Sequence, residues 1–327
     1  MNQRSFSDSG KLISEIGLGC WQLGGSDWGK LDESSAFEIL STAVSSGVNF
    51  FDTADVYGGG RSETLIGQFL KKTNESLFVA TKLGRTGELY PDKYTEANIR
   101  AATEASLKRL NLEALDLTQL HCIPRTVLQQ GDVFESLRSL QTEGKIRHFG
   151  ASVESMDEAL LCLEQEGLAS LQIIFNIFRQ KPIVTFFERA KAKNVALIIR
   201  LPLASGLLSG KMTVNTTFAA EDHRNYNRDG AAFNVGETFA GLPYELGVAL
   251  ADELKPIVPE DMTMAQMAQR WILDHDAVST VITGASRSDQ VVANSTSSTL
   301  PPLSRSLHKQ LGRFYDEKVA SHIRGPY

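Results

Sequence analysis

Residues 171–202 read LQIIFNIFRQKPIVTFFERAKAKNVALIIRLP. Two apolar runs, LQIIFN (171–176) and VALIIRLP (195–202), flank a segment of helical spacing. Runs this continuous in Leu, Ile, Val and Phe belong to strands covered on both faces. Pro182 is placed to start the helix between them, Ile183, Phe186, Phe187 and Ala190 form its apolar side, and Asn194 is placed to end it. A crossover of this length predicts that the two strands pair in parallel.

The same rhythm extends in both directions. Further strand-like runs are VNFFD (48–52), SLFVATK (76–82), ALDLTQLH (114–121), RHFGAS (147–152) and VSTVITG (278–284). Ser155 with Glu158 is a capping-box pattern, with Gly167 as its stop. Asp132, Glu135 and Gly144 repeat that grammar around an apolar stripe of Phe134, Leu137 and Leu140. Seven strands and a weaker eighth near 297–300 predict one α/β domain over 1–327, a closed (β/α)8 TIM barrel. An open doubly wound sheet is the alternative. Residues 1–20, around DSGK, predict an N-terminal β-hairpin capping the barrel floor. Residues 211–242 are polar and rich in Asn, Asp and Gly, which predicts a long functional loop after the sixth strand.

Bulk properties narrow the function. A net charge of −6 argues against a general nucleic-acid binder and gives no support to docking on an anionic membrane. No run of 18 apolar residues occurs, and the N-terminal stretch lacks the pattern of a signal peptide. Cys20, Cys122 and Cys162 are odd in number and far apart, so neither a disulfide framework nor a zinc site is expected, and a cytoplasmic location is. The six histidines show no H-x-x-x-H spacing, so no metal is expected.

Barrel chemistry sits at the C-terminal ends of strands. Those ends carry Asp52, Lys82, His121, Ser152, Asn176 and Arg200. Five residues after Asp52 comes Tyr57. A free phenol has a pKa of about 10, and a neighbouring ammonium is expected to lower it. Asp52 would hold Lys82 charged, and His121 would steer a carbonyl. Such a group suits protonation of an oxygen as negative charge develops on it. Taken singly, Asp52 and Lys82 also read as a structural ion pair, Tyr57 as a surface tyrosine and His121 as a core histidine. The glycines at 58–60 lack the G-x-G-x-x-G spacing of a dinucleotide cradle. They read as a turn after Tyr57 that leads into a helix starting near Ser62.

FDTADVYGGGRSE (51–63), ATKLG (80–84), DLTQLH (116–121), FGAS (149–152), PLASGLLSGK (202–211) and VITGASRSDQVVAN (281–294) together resemble the aldo-keto reductase superfamily, from GLGCWQLGG (17–25) to about Asn294. The resemblance implies a barrel that reduces aldehydes or ketones reversibly with NADPH. It implies Tyr57 as general acid/base, Lys82 and Asp52 as the pair that tunes it, and His121 as the residue that orients the carbonyl. Ser152 and Gln172, with Asn176, resemble the groups that hold the nicotinamide carboxamide. Pro202, Leu203, Ser205, Gly206 and Lys211 resemble the pyrophosphate segment, over which Arg224 closes. Gly284, Ser286 and Arg287 correspond to the 2′-phosphate end, and Gln290 and Asn294 to the adenine. Arginine's fork suits a phosphate, which favours NADPH over NADH.

Two positions depart from the family pattern. Val153 stands where many members have Asn, and Arg200 stands where many place an aromatic under the nicotinamide. The Arg200 guanidinium either stacks there or pairs with an acid. Trp21, Tyr57 and His121 are the substrate-side expectation, with Tyr90, Phe218, Tyr226 and Phe233 as further wall candidates. The short segment after His121 and the short C-terminal end predict an open mouth suited to small polar carbonyls. The rival readings are a cofactor-binding auxiliary subunit on the same fold and a different barrel enzyme.

Overall fold

Strand–helix alternation closes the sheet on itself. The computed structural model describes residues 1–25 and 31–327. The strands are β1 (Gln3–Phe6), β2 (Lys11–Ser14), β3 (Ile16–Gly19), β4 (Phe50–Asp52), β5 (Phe78–Leu83), β6 (Leu115–His121), β7 (Ile146–Ser152), β8 (Leu168–Ile174), β9 (Ala196–Arg200) and β10 (Val278–Gly284). β3 to β10 form a closed barrel in chain order, with β10 returning to β3 and all pairs parallel. The eighth strand is therefore Ile16–Gly19, not residues near 297–300, and Ser297–Thr299 is a 3-10 turn. The reason is geometric: a strand must lie between β10 and β4 to close the ring, and the glycine-rich IGLG fits that seam. A Cβ at Gly17 would sit 2.8 Å from the Phe50 ring.

β1 and β2 form the expected antiparallel hairpin. Its inward residues Phe6 and Ile13 join Phe50, Phe78, Leu117, Ala196 and Ile198 in an apolar plug at the floor. Arg4 of the hairpin donates to the carbonyls of Leu273, His275 and Val278. A larger apolar layer packs between the barrel and its helices.

Local signals were obeyed where nothing competed. Ser155 and Glu158 complete a capping box on helix Met156–Leu163, but Glu164 caps its end and Gly167, at φ +78°, turns the chain only after that cap. Asp132 makes no cap, because Gly131 takes that position in left-handed conformation and Asp132 is the first helical residue. The helix started by Pro182 is broken at Phe186, giving Pro182–Thr185 and Phe187–Ala192, and Asn194 takes φ +51°. Residues 211–242 run as turns with short helical pieces at His223–Tyr226, Val235–Glu237 and Phe239–Gly241. Among the described residues no helix is long and apolar enough to cross a membrane.

Candidate active site

Side chains alternate along a strand, so every second residue faces the barrel interior. On β4 this runs from Phe50 to Asp52, on β5 from Phe78 through Ala80 to Lys82, and on β6 from Leu117 through Gln119 to His121. The interior is thus apolar at the floor and polar at the mouth. Register sets the neighbours: Lys82 lies opposite Gln119, His121 opposite Ser152, and Ser152 opposite Gln172.

At the mouth, the Lys82 Nζ donates to Asp52 Oδ1, to the Thr53 carbonyl at 2.9 Å and to the Tyr57 hydroxyl at 3.3 Å. Both members of this ion pair are buried, Lys82 at 1% and Asp52 at 2% exposure. The other Asp52 oxygen accepts from Gln172 Nε2 at 2.8 Å and Gln119 Nε2 at 3.2 Å. His121 meets Tyr57 edge-on, with ring centroids 5.8 Å apart. Its Nδ1 is buried without a hydrogen-bond partner.

Charge states follow from this packing. Burial works against the Lys82 charge, but Asp52 and Tyr57 outweigh it and hold the ammonium above its usual value. Burial pushes the Tyr57 phenol up to about 12, against the downward pull of Lys82. The expected lowering by lysine is present, but desolvation is the larger effect. Burial first, then the nearby charges of Lys82, Arg85 and Arg200, push His121 well below its usual value, so the imidazole is neutral at physiological pH.

The glycine turn explains how Tyr57 reaches the mouth. Gly58, Gly59 and Gly60 all have positive φ, at 60°, 61° and 91°. A Cβ on Gly58 would lie 2.3 Å from the Gly24 carbonyl oxygen, so the turn after Tyr57 packs backbone-to-backbone on the turn after Trp21. The Trp21 ring then stacks on Tyr57 at 5.8 Å and 17°. From the 211–242 loop, the His223 ring lies 4.9 Å from Trp21, and Phe233 lies 6.4 Å from it. His223 is fully buried. The 211–242 loop thus lays His223 and the wall candidate Phe233 against Trp21. Phe218 packs instead on Phe239 and Tyr244, and Tyr90 is exposed beside Arg85.

The remaining predicted residues form an arc from β7 to β10. Arg200 pairs with Glu237 and donates to the Val153 carbonyl at 3.0 Å, so pairing with an acid is what occurs. Val153 contributes its backbone to this contact. Cys122, Glu154 and Glu237 bring potential ligand atoms within 4.8 Å of one another, but Arg200 already supplies a cation there, at 3.6 Å from Cys122 Sγ. Gln172 spends its amide N–H on Asp52, which leaves Oε1 as its acceptor. Ser152 Oγ lies 3.6 Å from Cys122 Sγ. Asn176 commits both ends to backbone, donating to the Leu201 carbonyl and accepting from Phe178 N–H.

After β9, Ala204, Ser205 and Gly206 are successively left-handed. Ser205 Oγ donates to the Glu237 carbonyl and accepts from Phe239 N–H, which ties this turn to the long loop. Arg224 pairs with Asp222 and stacks over Phe218 at 4.5 Å. A Cβ on Gly206 would come 3.9 Å from Arg224 Nη1, so the arginine hangs over the 202–211 turn. Lys211 is exposed at the end of that turn. After β10, Arg287 is exposed and paired with Asp289, Gln290 Oε1 accepts from Ser286 N–H at 2.8 Å, and Asn294 accepts from Gln269. Gly284 leaves room for Gln22, which a Cβ would strike at 2.1 Å.

Gln119, His223 and Glu237 were not singled out in the sequence. Gln119 was recoverable, since it lies two residues before His121 and shares its face. His223 and Glu237 sit in an aperiodic loop and carry no local signal.

A model of the aldo/keto reductase family matches residues 15–316. The aldo-keto reductase YhdN of Bacillus subtilis is 29% identical over 300 residues, covering 90% of this chain and 87% of that protein. A probable voltage-gated potassium channel subunit beta of Arabidopsis thaliana is 28% identical, covering 93% of each chain. Among solved structures, the glycerol dehydrogenase AKR11B4 of Gluconobacter oxydans superposes with a TM-score of 0.79 at 28% identity, over 99% of this chain and 97% of that one.

Proposed function

Because the chain belongs to the aldo/keto reductase family, we propose that it reduces aldehyde or ketone carbonyls to alcohols, reversibly, with NADPH preferred over NADH. The observation that carries this reading is the buried line from Asp52 through Lys82 to the Tyr57 hydroxyl, with neutral His121 beside it.

The nicotinamide, when bound, supplies the hydride. Tyr57 holds the proton for the carbonyl oxygen. With its pKa pushed up to about 12 it is a neutral phenol at physiological pH. An alkoxide is far more basic than a phenolate, so the transfer runs downhill. Lys82 stabilises the phenolate left behind, and Asp52 keeps Lys82 charged and fixed. His121, neutral and edge-on to Tyr57, orients the carbonyl.

The residues present fit a dinucleotide. Ser152 and Gln172 Oε1 would hold the carboxamide, and Arg200, fixed by Glu237 and the Val153 carbonyl, would border the nicotinamide. Pro202, Leu203, Gly206 and Lys211, with Arg224 above, suit the pyrophosphate. Ser205 contributes to that turn through its backbone, since its hydroxyl is engaged. Gly284, Ser286 and Arg287 would hold the 2′-phosphate, with the Arg287 fork turned from Asp289 to it, and Gln290 and Asn294 would serve the adenine end. Trp21, Tyr57 and His121, narrowed by His223 and Phe233, favour small polar carbonyls. The similarity to a glycerol dehydrogenase points the same way. Three free, buried cysteines support a reducing cytoplasm as the location.

Tyr57→Phe tests the assignment. It is expected to abolish reduction of short aldehydes while NADPH still binds, and unchanged turnover overturns it. The potassium-channel relatives favour a second reading, a cofactor-binding auxiliary subunit. Tight NADPH binding without turnover across an aldehyde panel would decide for it.

A further inference from the structure

We propose that Ser62 and Glu63, at the start of the helix after Tyr57, are the positioning centre of the acid/base group and set the distance between Tyr57 and Lys82. The inference rests on the catalytic reading above and deepens it.

Three consecutive glycines give the chain after Tyr57 little stiffness of its own. What fixes the phenol must therefore come from anchors on either side of the turn. The helix Arg61–Leu70 opens with three of them. Arg61 donates to the carbonyls of Leu23 and Leu31. Ser62 Oγ donates to the Cys20 carbonyl at 2.8 Å and accepts from Thr53 Oγ1 at 2.8 Å. Glu63 accepts from Thr81 Oγ1 at 2.5 Å and from Arg109 Nε at 2.6 Å. Ser62 and Glu63 are both fully buried.

The partners share one property. Cys20 precedes Trp21, Thr53 follows Asp52, and Thr81 precedes Lys82. Strand alternation turns Thr81 outward to the helix while Lys82 turns inward to the site. The dipeptide thus grips, from outside the barrel, the backbone that carries the catalytic side chains on the inside. Arg109 closes the arrangement from beneath. A Cβ on Gly60 would strike its Cδ at 2.6 Å, so the glycine turn rests on the arginine that binds Glu63. Arg109 belongs to helix Glu96–Leu110, which leads into the strand ending at His121. Asp55, whose carboxylate oxygens are buried without partners, also faces Glu63. A fully buried carboxylate is weakly explained by stability, since an apolar replacement is often as stable. Its placement against the residues flanking Trp21, Asp52 and Lys82 explains it as a device for geometry.

The test uses the full chain with Glu63→Gln, Thr81→Val and Thr81→Ser, and Tyr57→Phe in parallel. Glu63→Gln and Thr81→Val are expected to lower kcat at least about tenfold, since small misplacements of reacting groups are costly. Their NADPH affinity should stay within about threefold, because the residues proposed for the cofactor belong to β7 through β10 and the segments after them. Thr81→Ser keeps the hydroxyl and should retain kcat within about twofold. The pH profile separates positioning from mere support. Tyr57 is faced by Lys82, Asp52, Glu237 and His121, and Lys82 is the group that pulls its pKa down. A wider Tyr57–Lys82 gap moves the rising alkaline limb of alcohol oxidation to higher pH. Folded Glu63→Gln and Thr81→Val variants that lose thermal stability but keep kcat and that limb would overturn the inference, and Thr81→Val alone decides if Glu63→Gln does not fold. An active Tyr57→Phe sinks the catalytic reading itself. An inactive Tyr57→Phe beside fully active Glu63→Gln and Thr81→Val sinks only the positioning role.

Discussion

Asp52→Asn isolates the charge at the centre of the site while keeping its shape. In the wild type the Asp52 carboxylate faces the Lys82 ammonium, with both nearly inaccessible to water. Removing one member of such a pair leaves a buried charge uncompensated and costs about 3–5 kcal/mol. Unfolding entropy of roughly 2.1 cal/mol/K per residue near 60 °C gives about 0.7 kcal/mol/K for a chain of this length. The midpoint should therefore fall by about 4–7 °C. The pH dependence carries the sharper signature. In the wild type Lys82 is held above its usual value, so its stabilisation is fully present below the unfolded lysine value and fades only as pH rises through the folded one. In the variant only Tyr57 and the Thr53 carbonyl still favour the ammonium, and without the Asp52 charge desolvation is expected to drive Lys82 below the unfolded value of about 10.4. The unfolded chain then binds more protons than the folded one, and stability rises with pH. The deficit against wild type should thus shrink between about pH 7 and pH 10. Melting curves followed by circular dichroism across that range measure it. A variant that melts within about 1 °C of wild type throughout would refute the buried, charged pair.

Two further outcomes are expected. Arg287→Ala should weaken NADPH by about tenfold or more, the scale of a lost hydrogen bond between charged groups, and leave NADH nearly unchanged, while Asp289→Asn should tighten NADPH by freeing the fork; fluorescence titration with both cofactors checks this, and equal losses for the two cofactors would remove the 2′-phosphate role. His121 is neutral because burial and nearby cations depress it, so kcat for reduction should show no inflection near the ordinary histidine value of about 6.5, and an acid limb there that vanishes in His121→Ala would contradict the neutral imidazole.

The periodicity of apolar residues determined the barrel. Continuous apolar runs separated by crossover-length helices admit few arrangements, and the polar residues at the ends of those runs marked the mouth. That Asp52, Tyr57, Lys82 and His121 converge was legible because strand alternation and a glycine turn fix where they point. The closing strand was missed because IGLG is short and glycine-rich, with its glycines serving close packing rather than propensity. Asp132 was misread as a cap because Gly131 competes for that position.

What the tertiary structure alone decided is how the groups meet and in what charge state. No local rule pairs Arg200 with Glu237, lays His223 against Trp21, or sends Gln172 to Asp52 across the barrel. Nor does spacing reveal that burial outweighs lysine at Tyr57, because desolvation depends on everything packed around the phenol. Sequence pattern records the preferences of neighbours along the chain. Ring closure brings distant segments to one mouth, and the dielectric and contacts there exist only once it has closed.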